Sequence, residues 1–312
     1  MTLDAHVRTL GRGPGRSRSL TRDEAEDAMR RMLGGADPHA VGALLMLMRM
    51  KGETADEIAG FAAAAQATLP LVPRADLDWP AYAAGRTRGL PWFLIAAQRV
   101  AAHGHRVVLH GAPSGDGSVR AGCAALGIAI APTPDAAERA LARAHIVYLP
   151  LEAWAPGLNA LLGLRAVLGL RSCVNTVCRM LNPAGAGASV QGVFHPSYRL
   201  LQADAAARLG WRALTVIKGG GGEFERNPAK PLQAFGLRAG VPWEDTRPPA
   251  ASHAAADAPR DPAALAAVAR GAAADPVAGA VIDSTTALAF ETLRGTNPAA
   301  RPARPVPAGA SP

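Results

Sequence analysis

The chain has 312 residues, 49% of them hydrophobic, enough apolar material for a full core in two domains or one large one. Its formal net charge is +8 and its pI about 10.2, which favours an anionic partner. No apolar run approaches the ~20 residues that span a bilayer, no secretory signal pattern opens the chain, and three cysteines (Cys123, Cys173, Cys178) make neither an even framework nor a usual zinc half-site. These features argue against a membrane protein and a disulfide scaffold, and the expected setting is reducing and cytoplasmic.

The first elements are helical. Five arginines and no acid fall between Ala5 and Arg22, among them Arg12, Arg16 and Arg18. Thr21-Arg-Asp-Glu24 is a capping box, followed by Ala25, Ala28, Met29 and Met32 at helical spacing and by Gly34 as a stop. Asp37-Pro38 opens a second helix that is apolar on most sides and ends at Arg49-Met50-Lys51-Gly52. A second box, Thr54 to Glu57, opens a third. Residues 1–70 therefore read as a small helical domain, with Leu69 to Pro80 as its linker.

The pattern then changes. A helix from Pro91 to Ala102 precedes a short β-type run, Arg106 to Leu109, ending in His110-Gly111. A helix up to Leu126, a strand at Ile146 to Leu149, and helices from Pro156 to Leu168 and from Ser172 to Leu181 follow. Strands at Val190 to Phe194 and Thr215 to Ile217 flank a helix from Ser197 to Leu209. Alternation of this kind predicts a mostly parallel sheet covered on both faces, in an α/β domain over residues 71–295. The helices from about 155 to 181 are expected to join the small domain. Gly240 to Arg260 reads as a loop, Asp261-Pro262 and Pro276 open two more helices, and 296–312 is a Pro/Ala tail expected to be disordered.

Ligands of such sheets sit at the carboxyl ends of the strands. Gly219 to Gly222 follows the Thr215 strand, and a glycine run there lets backbone amides approach an anion or simply forms a turn. Lys218 precedes it, and Glu223-Phe-Glu225 after it reads as a solvated rim or a metal carboxylate. His110 sits at a strand end as a phosphate contact or a capping residue. From Ala153 to Ala203 four arginines (Arg165, Arg171, Arg179, Arg199) occur without an acid, and Arg86 and Arg88 belong to a third basic stretch. Trp92, Trp154 and Tyr82 are the aromatics in reach for base stacking. No P-loop, dinucleotide fingerprint, nucleophile elbow or His-Glu-x-x-His motif occurs.

The run from Ala155-Pro156 through Arg165, Leu168-Gly169 and Arg171-Ser172, with Asn175, Asn182-Pro183 and Gln191-Gly-Val193, resembles the anthranilate phosphoribosyltransferase family. That resemblance implies the nucleoside phosphorylase type of fold, a small helical domain and a larger α/β domain with a cleft between them, and a homodimer through the helical domain. Departures are concentrated in the cleft. The family's glycine-rich diphosphate loop falls on Trp79 to Pro91, where Arg86 and Arg88 stand, and its metal-binding Asp-Glu pair falls on Phe224-Glu225. Losing a magnesium carboxylate removes transition-state stabilisation. Thr9-Leu-Gly-Arg-Gly13, Arg49-Met-Lys51-Gly52-Glu53 and Asn227-Pro228 resemble a YbiB-type DNA-binding branch of the family.

That branch implies non-specific binding of single- or double-stranded DNA, or RNA, with no metal or other cofactor. The phosphate contacts expected are Arg12, Arg16, Arg18, Lys51, Arg86, Arg88, His110, Arg165, Arg171, Arg179, Lys218, Gly219 and Gly220. The alternative is a phosphoribosyltransferase with an unknown acceptor, and only that alternative calls for Mg²⁺.

Overall fold

The structure, a computed structural model, describes residues 2–83, 89–113, 117–250 and 261–297. Four helices open it: α1 (Asp4–Gly11), α2 (Arg22–Leu33), α3 (Pro38–Lys51) and α4 (Ala55–Gln66). Both predicted capping boxes are closed: the Thr21 and Thr54 hydroxyls accept from the Glu24 and Glu57 amides, and each glutamate accepts from its own cap amide. Asp37 caps α3 by accepting from His39 and Ala40.

The large domain then runs β1 (Leu77–Ala81), α5 (Phe93–Ala102), β2 (Val107–Gly111), α6 (Ser118–Leu126), α7 (Pro134–Ala144), β3 (Ile146–Pro150). Short helices α8 (Leu151–Trp154), α9 (Pro156–Gly163), α10 (Arg165–Leu168) and α11 (Val174–Arg179) follow. Next come β4 (Ala188–Val193), α12 (Tyr198–Arg208), β5 (Ala213–Lys218), β6 (Leu232–Arg238), β7 (Val241–Arg247), α13 (Pro262–Ala269) and α14 (Pro276–Arg294). The seven strands form one sheet in the order β3-β2-β1-β4-β5-β6-β7, parallel from β3 through β5 and antiparallel beyond. A small helical domain beside a larger, mostly parallel α/β domain is the architecture expected from the sequence.

Two expectations are corrected. The segment read as a linker contains β1, a strand in the middle of the sheet, with every residue buried. Pro80 is tolerated there because β1 pairs with β4 only at Leu77 and Asp78, so the missing amide costs that ladder nothing. The segment read as a loop from Gly240 begins with β7, which pairs with β6 in a hairpin. Its two-residue turn, Ala239-Gly240, has φ of +51° and +80°, the left-handed pair that matches strand twist.

Core side chains of α1–α4 pack with those of α8, α9 and α11, so the 155–181 helices do lie against the first four. All three cysteines are free and buried, and burial pushes the Cys123 and Cys178 thiols up to about 12. A thiolate is the reactive species, so the folded protein is expected to react negligibly with a disulfide reagent at pH 8. Reaction of all three should follow denaturation; rapid native labelling would contradict this packing.

Candidate functional site

Because β1 lies between β2 and β4, the chain reverses its direction of travel across the sheet beside β1. The crevice outside the carboxyl ends of β1 and β4 is where such sheets accept ligands. Three adjoining cavities open there. The first, 430 Å³, is walled by Tyr82, Ala83, Asn159, Arg165, Arg171 and Asn175 among others. The second, 530 Å³, shares Arg165, Arg171 and Asn175 and adds Arg49, Arg179, Phe194 and His195. The third, 610 Å³, shares Phe194 and Gly221 and adds Arg199, Lys218, Arg226 and Lys230.

Among the described residues, the walls of these cavities carry eight arginines and lysines and one carboxylate, that of Glu223. Glu223 is 1% exposed, and its Oε1 accepts from the Ala83 amide at 2.7 Å. Arg171 is held below the usual guanidinium range, first by burial and then by the neighbouring Arg165 and Arg49. Like charges that crowd one another favour an anion beside them. Neither Arg49 nor Arg165 has an ion pair among the described residues, and both are exposed. Phe194 is 57% exposed and meets the His195 ring edge-on at 5.0 Å. Arg199 lies 5.0 Å from the Phe235 ring and donates to Gln233.

Arg165, Arg171 and Lys218 thus line one channel. Several other expected contacts do not. Arg18 is folded onto Glu24 through two bonds of 2.6 and 2.7 Å, which hold the Glu24 carboxyl at about 2. Lys51 donates to Glu57 (2.7 Å), Ser19 and Gly52, and so ties the start of α4 to the turn before α2. His110 is 3% exposed, with its ring between Tyr82 Oη at 2.9 Å and Asp78 Oδ1 at 3.0 Å. Ser189 donates to the other Asp78 oxygen at 2.8 Å, so His110 belongs to a buried polar network rather than to a phosphate site.

Arg179 is 5% exposed and donates to the Gly192 and Gly222 carbonyls, bracing the glycine turn from beneath. The turn is no phosphate cradle: the Gly219 amide donates to Val193 and the Gly220 amide to Glu225. Gly219 is required by packing, since a Cβ would fall 1.5 Å from the Glu223 carbonyl oxygen. Arg12 and Arg16 stand exposed after α1, outside the three cavities. Arg86 and Arg88 lie outside the described residues. Tyr82, Trp92 and Trp154 are each buried, at 4–5% exposure, and offer no stacking face. Sequence reasoning missed Arg49, Lys230 and Phe194; the first two sit in runs of mixed charge, and Phe194 reads as the end of a strand.

Replacing Arg18 with alanine is accordingly expected to leave oligonucleotide affinity within twofold of wild type. The lost contribution of the Glu24 pair is one present above about pH 4.5 and fading towards pH 2, because the folded carboxyl is depressed. A tenfold loss of affinity would place Arg18 in the binding surface after all.

A divalent metal does not fit the pair of residues that the family resemblance points to. Phe224 is fully buried, edge-on to Trp79 at 5.4 Å. Glu225 is 5% exposed, its Oε2 accepting from the Phe93 amide at 3.0 Å. Glu223 is turned inward as described, so neither glutamate forms the solvated rim read from the sequence. Among the described residues no group of three His, Cys, Asp or Glu side chains could hold a metal ion. No described helix is long and apolar enough to cross a membrane.

Comparison with known proteins places this geometry in a lineage. Residues 6–68 match the glycosyl transferase family helical bundle domain, and residues 93–232 match its a/b domain. The anthranilate phosphoribosyltransferase of Rhodopseudomonas palustris is 33% identical over 267 residues, 81% of this chain and 79% of that protein. The crystal structure of the Thermus thermophilus anthranilate phosphoribosyltransferase matches with a TM-score of 0.68 and 26% identity, over 89% of this chain and 92% of its own. The Saccharomyces cerevisiae enzyme, in complex with PRPP and Mg, matches at TM-score 0.76 over 94% and 88% of the chains. At 16% identity it supports the fold alone. These relatives favour the transferase alternative and lend the DNA-binding branch no support. Matches to both domains, with a relative a third identical along four-fifths of the chain, show that this protein belongs to the glycosyl transferase family built from a helical bundle and an a/b domain.

Proposed function

We propose that this chain binds nucleic acid through its phosphates, without reading sequence, along the channel formed by the three cavities. The supporting observation is the charge of that channel: Arg49, Arg165, Arg171, Arg199, Lys218 and Lys230 line it, and the one carboxylate among its described wall residues, Glu223, is buried and bonded. Guanidinium forks suit phosphate oxygens, and exposed lysines add point charge. Phe194 gives one base a stacking face, and one aromatic confers little sequence preference. DNA, single- or double-stranded, and RNA share this chemistry. The protein would act as a homodimer joined through the helical domain, where Met50 and Val167 expose 84% and 80% of their surface.

Fluorescence anisotropy of a labelled oligonucleotide across a salt series tests this reading. Six phosphate contacts predict a log–log slope of about −4 to −5. A second reading, phosphoribosyl transfer to an unknown acceptor, is the one the relatives favour. The first cavity, with Arg165 and Asn159 in its wall, has a volume suited to a small acidic acceptor. Calorimetry with phosphoribosyl diphosphate and Mg²⁺ separates the two. Saturable diphosphate binding beside weak, salt-insensitive oligonucleotide binding would reverse their order.

A further inference from the structure

A second cationic cavity, 890 Å³, lies at the opposite rim of the sheet, where the parallel strands begin. Arg106 is the residue before β2 and Arg212 the residue before β5; Arg74 precedes β1, and Arg294 closes α14. All four line the cavity with His105, against one carboxylate among the described residues, that of Asp76. Asp76 is already engaged, since its Oδ2 accepts from the Arg106 amide at 2.7 Å. None of the four arginines has an ion pair among the described residues; Arg212 donates to the Thr296 carbonyl at 3.2 Å. The remaining wall includes two half-buried aromatic side chains, Trp211 and Phe290. His105 and His103 meet the Phe290 ring edge-on, at 5.9 and 5.1 Å, and hold it in place.

We infer that this rim cavity binds a free nucleoside monophosphate, its phosphate among Arg106, Arg212 and Arg294 and its base against Trp211. Four guanidinium groups are brought to one cavity by four separate segments, and their summed positive charge favours an anion there. An aromatic wall adds affinity for a flat base, with cation–π contacts from the surrounding arginines. A cavity of this volume exceeds what inorganic phosphate fills and lies within the range of small-molecule sites. The inference stands apart from the reading of the cleft, because the two sites share no wall residue.

Calorimetry of the full chain with AMP tests it, beside inorganic phosphate and an oligonucleotide. Saturable AMP binding is expected, tighter than that of inorganic phosphate. Arg106→Ala with Arg212→Ala should weaken it at least tenfold, and Trp211→Phe should weaken it less. Arg165→Ala with Lys218→Ala, in the cleft, should leave AMP binding unchanged while lowering oligonucleotide affinity. AMP should raise the melting temperature of wild type and not of the rim variant, a readout that also reports whether the variant folds. AMP binding lost with the cleft variant and kept in the rim variant would overturn the site. Equal affinity for AMP and phosphate would remove the seat for the base. A rim variant that loses oligonucleotide affinity as strongly as AMP would assign the cavity to the end of a strand and overturn the free-nucleotide reading.

Discussion

Arg165→Glu combined with Arg171→Glu is expected to weaken oligonucleotide binding by two orders of magnitude or more at low salt. Both side chains line the first and second cavities, and Arg165 and Arg49 both act on the Arg171 guanidinium. Each charge-assisted contact to phosphate contributes on the order of 1.5 kcal/mol. Reversal replaces that attraction with repulsion, so about 100-fold is a lower bound for the pair. The salt slope should also become shallower by about 2, one for each lost contact. Arg165 is exposed, so its replacement should change stability little. Anisotropy titrations at two salt concentrations, beside a thermal melt, make the measurement. An affinity within twofold of wild type, in a variant that melts normally, would remove the channel from the binding reaction.

The same experiment bears on the relatives' chemistry. At the two positions where the family resemblance implies a metal-binding pair, this chain carries Phe224 and Glu225. Phe224 is locked into the core against Trp79, and the glutamates on either side accept backbone amides. Restoring an aspartate at position 224 would bury a charge where an aromatic ring now packs, so the loss is built into the fold of the large domain.

Much of this fold is legible in the sequence because its signals are local. Thr21-Glu24 and Thr54-Glu57 announce helix starts by side chains that close on their own backbone. The apolar runs at Ile146 and Thr215 are strands because buried parallel strands need no alternation. What stayed hidden depends on partners far along the chain. Leu77-Asp-Trp-Pro-Ala81 contains an acid and a proline, and it is a strand only because His110 and Ser189 take up Asp78 while β4 leaves Pro80 free of its ladder. The β6–β7 hairpin escaped notice because alanine stands where asparagine or glycine usually signals its turn. The acid-free run from Ala153 contains Arg165 and Arg171, which line the channel. The run from Ala5 to Arg22 contains Arg18, whose acidic partner Glu24 lies just beyond its end.

Lys51 carries the second large effect, through its partner. Glu57 is fully buried, and its carboxylate accepts from the Leu20 amide (2.8 Å), the Thr54 amide (2.8 Å), the Thr54 hydroxyl (3.0 Å) and the Lys51 ammonium (2.7 Å). Four donors from three segments therefore depend on one side chain. Glu57→Ala strands them in the core of the helical domain, and breaking a buried, hydrogen-bonded pair from one side costs about 3–5 kcal/mol. For a chain of this size that corresponds to a fall in melting temperature of roughly 5–8 °C. Glu57→Gln keeps one acceptor oxygen and should lose less. Lys51→Ala should also lower the melting temperature, since it leaves the carboxylate without its counter-charge, yet it should leave oligonucleotide affinity unchanged. Circular dichroism melts of the three variants beside anisotropy titrations separate the roles. Were Lys51→Ala to melt like wild type and bind tenfold more weakly, Lys51 would be a phosphate contact and its bond to Glu57 incidental.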